Sequence, residues 1–146
     1  MNILFLEDRG ATAYNVESWL ETNGHNVLSA FNPNDAQSHW ARREQVPVHC
    51  ILLDLQVPMD GFIDKQKADA DGGTLTGWVW LRDNVFAEAP EMRQRTIIYS
   101  DYVAVLREKV PEEQYRDIKI VSKRQRGSSA DLVIASIREI ARMVGA

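Results

Sequence analysis

The sequence predicts a doubly wound α/β protein on a five-stranded parallel sheet, and three observations carry that prediction. Apolar runs too short for helices recur at 3–6, 26–30, 49–53, 96–100 and 118–121. Longer stretches of helical period separate them, which is how parallel α/β proteins are written. The first, third and fourth runs are almost wholly apolar, as strands covered by helices on both faces must be.

The segments between the runs give the helices in order. Val16, Trp19 and Leu20 share one helical face, and Asn23-Gly24 offers a left-handed stop. Asn32-Pro33-Asn34-Asp35 is rich in capping residues and opens a second helix expected to turn Ala36, Trp40 and Ala41 inward. A third helix is predicted from near Gly77 through Val79, Trp80, Val85 and Phe86 to Pro90, and a short fourth over 103–110 before Pro111. In the fifth, Ser128, Ser129, Ala130 and Asp131 supply a cap and a first-turn acid. Val133, Ile137, Ile140, Ala141 and Val144 then recur at helical spacing. The stretch 59–76, polar and containing Gly and Asp, reads as a long inserted loop between strand three and helix three.

Residues 1–146 fit a single domain, long enough to close one core. A formal charge of -4 argues against a domain that grips phosphate backbone, so no direct nucleic-acid partner is expected. No apolar stretch approaches the ~18 residues of a membrane span. The N-terminal apolar run lacks a basic leader and ends in two acids, unlike a signal peptide. Cys50 lies within an apolar run and reads as a small buried residue, consistent with the cytoplasm. Trp19, Trp40, Trp78 and Trp80 have helical spacing and read as packing rather than as a stacking surface.

In a doubly wound sheet, ligands bind outside the carboxyl ends of the strands. Glu7 and Asp8 stand after strand one, Asp54 after strand three, Ser100 and Asp101 after strand four, and Lys123 after strand five. Two carboxylates ~4 Å apart repel by roughly 4 kcal/mol at an effective dielectric of ~20. A hard divalent cation such as Mg²⁺ offsets that cost. Asp54 then reads as a nucleophile toward phosphorus, with Lys123 and Ser100 donating to the phosphoryl oxygens.

This set, in this order, resembles the receiver domain of two-component response regulators, of the chemotaxis type that consists of a single domain. Glu7 and Asp8 match the family's Mg²⁺-binding pair, with Asp8 the direct ligand. Asp54, in Leu52-Leu53-Asp54-Leu55-Gln56-Val57-Pro58, matches the phosphoacceptor. The resemblance further implies that the Gln56 carbonyl completes the metal site, that Ser100 is the switch hydroxyl and that Lys123 is the family's lysine. It covers the chain apart from the insert and implies the flavodoxin-like strand order.

Three positions depart from the family pattern. Arg124 replaces the proline that usually follows the lysine, so the cis peptide common there is not assured; Ile120 stands at the aromatic switch position. Asp101 occupies the place of a small residue, and its modulating effect is expected to be repulsion of an anionic phosphodonor.

The implied role is a response regulator that is not itself an enzyme, phosphorylated on Asp54 by a histidine kinase or histidine phosphotransfer protein. It would signal by protein contact, with a homodimer through helix four, strand five and helix five among the options. A receiver-like module that works without phosphorylation is the alternative. A Mg²⁺-dependent phosphohydrolase is a lesser one, since Gln56 stands where that chemistry needs a second Asp.

Overall fold

The computed structural model describes residues 1–124 and 129–145. Its five strands are β1 (Asn2–Leu6), β2 (Asn26–Ala30), β3 (Cys50–Leu53), β4 (Thr96–Ser100) and β5 (Lys119–Ser122). All pair in parallel, in the order β2-β1-β3-β4-β5. The strand order reverses direction at β1, which opens a crevice between the carboxyl ends of β1 and β3.

Side chains alternate across a strand, so each strand feeds two cores. Leu4, Leu6, Ile51, Leu53 and Ile98 face the larger core, which holds Trp40, Trp78, Trp80, Leu81 and Leu106. Ile3, Phe5, Cys50, Leu52 and Ile97 face the smaller one, packed by Leu20, Val133, Ile137 and Ile140. Helices α1 (Gly10–Thr22) and α6 (Ser129–Met143) supply the smaller core's outer layer. On the opposite face lie α2 (Pro33–Ala41), α3 (Asp64–Asp69), α4 (Thr76–Trp80) and α5 (Val103–Lys109). The Cys50 thiol is fully buried and its pKa is pushed up to about 12 by that burial, which leaves it a packing residue.

Local signals explain the helix ends. The Asn32 side chain accepts from the Asp35 amide at 2.9 Å, with Pro33 in the first turn of α2. Gly24, at φ 86°, takes the left-handed turn after α1. The expected inward face of α2 needs one correction: Ala41 is exposed, because a residue one step beyond the buried Trp40 points about 100° away from it. The cap expected at Ser128 lies outside the described residues. No described helix is long and apolar enough to cross a membrane.

The reading of 59–76 as irregular throughout is also corrected, because this connection carries α3 and a 3₁₀ turn over Asp71–Gly73. It is pinned from both sides. The Asn34 amide of α2 donates to the Asp60 carbonyl at 3.1 Å, and Arg82 pairs with Asp69 at 2.8 Å. Phe62, Ala70 and Leu75 plug into the larger core. Successive positive φ values at Asp71, Gly72 and Gly73 reverse the chain into α4, which continues as a π-helical turn over Leu81–Phe86. Periodicity cannot reveal α3, a helix of 6 residues with no buried member.

Where α4 begins, Gly77 lies directly on the loop after β3. Its amide donates to the Leu55 carbonyl at 2.9 Å, and a Cβ there would stand 2.4 Å from the Asp54 carbonyl oxygen and 2.6 Å from Leu53 Cδ1. Gly77→Ala should therefore destabilise the fold by about 1–3 kcal/mol, as overpacking does. A urea denaturation midpoint equal to that of the unsubstituted chain would show that α4 shifts outward at no cost.

Candidate functional site

The strand-end residues are set by the same backbone ladder that builds the sheet. Beyond the last paired residues, the Asp54 amide donates to the Leu6 carbonyl at 2.9 Å. The Glu7 amide donates to Ala30, and the Lys123 amide to Ser100, each at 3.0 Å. The polar side chains that follow are thus as fixed as the strands, and Glu7, Asp54 and Ser100 are buried.

Asp54 is the centre of the arrangement. Ser100 Oγ donates to Asp54 Oδ1 at 2.5 Å, and the Gln56 amide reaches the same oxygen at 3.4 Å. The Ser100 hydroxyl has one proton to give, and its lone pairs accept from the amides of Leu55 at 3.3 Å and Tyr102 at 3.1 Å. Those two amides aim the proton at Asp54. Lys123 Nζ donates to Glu7 Oε2 at 2.7 Å and to Asp54 Oδ2 at 3.2 Å, and lies 5.3 Å from the centroid of the Tyr99 ring.

Burial raises the pKa of Glu7, and the neighbouring Asp54 charge raises it further, while the Lys123 hydrogen bond pulls it down. The structure therefore joins Glu7, Asp54, Ser100 and Lys123, four of the predicted residues. Asp8 does not join them: it is exposed and makes no hydrogen bond or ion pair among the described residues.

Arg9 is the residue that sequence reasoning missed. Its guanidinium donates to Asp54 Oδ2 at 3.2 Å and to Asp101 Oδ2 at 2.9 Å, with Nε 3.8 Å from Glu7 Oε1. The Asp101 hydrogen bond, with Asp54 beside it, holds Arg9 even more firmly than usual in its charged form. The available signal was a cation placed immediately after two acids at the mouth of an acidic crevice.

Arg9 also corrects the expectation for Asp101. That carboxylate is not a bare charge at the rim, because Arg9 pairs with it and Arg124 Nε stands 3.9 Å from its other oxygen. Lys123 turns to Glu7 and Asp54 instead. Among the described residues no peptide bond is cis, so Arg124 follows Lys123 in the trans form. Ile120 packs against the larger core as an aliphatic residue.

Glu7, Asp8 and Asp54 are hard oxygen donors, the right kind for Mg²⁺. Among the described residues, however, no three His, Cys, Asp or Glu side chains are grouped to hold a metal. The oxygens of Glu7 and Asp54 are engaged by Lys123 and Arg9.

By sequence the chain matches no family model and no curated protein. Its fold, however, is that of solved receiver domains. A response regulator receiver domain protein from Clostridium thermocellum aligns at 20% identity over 97% of this chain and 95% of its own, with a TM-score of 0.61. The receiver domain of a sensor histidine kinase from Pseudomonas aeruginosa PAO1, with magnesium coordinated in its active-site cleft, aligns at 19% identity. That match covers 99% of this chain and 98% of its own, with a TM-score of 0.62. The non-phosphorylated HemR receiver domain from Leptospira biflexa aligns at 14% identity over 95% and 92% of the two chains, with a TM-score of 0.67. The chain has the receiver fold.

Lys123 is the ammonium shared by two buried carboxylates, so Lys123→Met should cost about 3 kcal/mol, the low end for breaking a buried pair, since Arg9 remains. The loss should depend on pH. A carboxyl whose pKa is raised in the folded state holds its proton more tightly there, so its cost is full at neutral pH and fades as pH falls through that raised value. Without Lys123, Glu7 is raised further, and the deficit should shrink on acidification. A deficit independent of pH between 4 and 8, measured by denaturant titration, would show that Glu7 is not what Lys123 supports.

Proposed function

We propose that the chain is a response-regulator receiver, a single unit over 1–146, that accepts one phosphoryl group on Asp54. The observation that carries this reading is the Asp54 carboxylate, buried at the end of β3 with the Ser100 hydroxyl on one oxygen and the Lys123 ammonium on the other. A carboxylate oxygen attacks phosphorus, an O–P bond forms, and the bond from phosphorus to the donor breaks with its electron pair leaving on the donor. Lys123 and Ser100, freed from the carboxylate as its charge is spent, donate to the phosphoryl oxygens. The Gln56 amide lies on the same side.

Glu7, Asp8, Asp54 and the Gln56 carbonyl are the groups that would hold Mg²⁺. When bound, the ion supplies positive charge for the phosphoryl oxygens. One receiver of the same fold carries magnesium in its cleft, which supports this assignment.

The donor is a histidine kinase or a histidine phosphotransfer protein, and the protein works in the cytoplasm. Output passes by protein contact through the face of α5, β5 and α6, the surface also proposed for a homodimer. Participation of Arg9 favours a second reading, a receiver-like module that binds partners without phosphorylation, because the guanidinium already occupies Asp54 Oδ2.

Incubation with acetyl phosphate and Mg²⁺ should add one phosphoryl group, seen by intact mass, and Asp54→Asn should abolish it. An unmodified chain under acetyl phosphate and under a panel of kinases would select the second reading. An adduct that survives in Asp54→Asn would place the acceptor elsewhere.

A further inference from the structure

We propose that Arg9 is a resident counterion of the acceptor site, held by Asp101, and that a divalent cation binds only by displacing its guanidinium from Asp54. This rests on the reading of Asp54 as the acceptor and adds how access to it is controlled.

The first support is that the Asp54 carboxylate is fully engaged. Oδ1 takes the Ser100 hydroxyl and the Gln56 amide, while Oδ2 takes Lys123 and Arg9. An ionised carboxylate offers about four lone-pair positions, so no direction remains for a metal or for an attack on phosphorus until one donor leaves. Ser100 is fully buried, and only 10% of the Lys123 side chain is exposed. The Arg9 side chain is 49% exposed, so it is the donor that can swing into solvent without opening the core.

The second support is position. The Arg9 guanidinium stands against Asp54 at 3.2 Å and Glu7 at 3.8 Å, the two buried carboxylates a bridging cation would join. A divalent ion there and the guanidinium would repel each other at close range.

The third support is charge balance. The two buried carboxylates, Glu7 and Asp54, are faced directly by Lys123 and Arg9, two charges against two. With the site neutralised from within, the repulsion that would otherwise draw in a cation is largely spent. Asp101 is the anchor that makes this durable: its 2.9 Å hydrogen bond to Arg9 is shorter than the one Arg9 makes to Asp54.

The test is calorimetric titration of MgCl₂ into the unsubstituted chain, Arg9→Met, Arg9→Gln and Arg124→Gln at fixed ionic strength near 0.15 M. Circular dichroism confirms the fold, and intact mass after acetyl phosphate is recorded on the same samples. Both Arg9 variants should bind Mg²⁺ at least about tenfold more tightly than the unsubstituted chain. Arg124→Gln removes a nearby charge that does not touch Asp54, and should change the affinity by less than about twofold under this screening. If either folded Arg9 variant binds no more tightly than the unsubstituted chain, the proposal is overturned. The same holds if Arg124→Gln gains as much as Arg9→Gln, since the effect is then one of general field. Failure here with an acetyl phosphate adduct present leaves Asp54 as acceptor. No binding and no adduct in any of the four chains overturns both.

Discussion

The structure turns on burying a carboxylate at the end of its central strand. Asp54 follows a strand with helices on both faces, and its side chain is buried. An isolated buried charge would neutralise or unfold its surroundings. The surrounding sheet supplies the answer from four directions. β4 brings a hydroxyl, the turn after β5 brings an ammonium, the turn after β1 brings a guanidinium, and the loop after β3 gives its own amide. Each donor arrives at the end of a different strand, so the site exists only when β1, β3, β4 and β5 stand side by side.

Much of this was legible in the chain. Strands covered on both faces leave no choice but apolar residues, so CILL of β3 and TIIYS of β4 announce themselves, and the polar residue after each is forced to the sheet's rim. Asp54 follows from that rule, and Glu7, Ser100 and Lys123 from standing at the carboxyl ends of β1, β4 and β5. What remained hidden depends on side-chain reach rather than on period. A guanidinium on a long flexible stem finds its partners in space, and the strand ends put Arg9, Asp54 and Asp101 on one rim without telling that they pair. The helix α3 was hidden for a related reason: its anchoring is done by flanking Phe62 and Ala70 and by Arg82 reaching from beyond α4's first turns.

Asp101 illustrates how a residue's effect is decided by its partner. Alone at a pocket rim, a carboxylate repels an anion. Paired with Arg9 at 2.9 Å, it becomes a fixed point from which a cation is held against Asp54. The same carboxylate is thus a holder for a cation rather than a bare charge.

The contact at Gly77 has a mechanical meaning. The start of α4 rests on the loop after Asp54 through a backbone hydrogen bond, Gly77 amide to Leu55 carbonyl, with the Leu53 side chain close against the same glycine. The hydrogen bond ties a movement of the Asp54–Leu55 backbone to the start of α4. From there the ion pair between Arg82 and Asp69 carries it into α3. The insert is therefore tied to the loop after Asp54 by a hydrogen bond and an ion pair in series, so the positions of the two are set together.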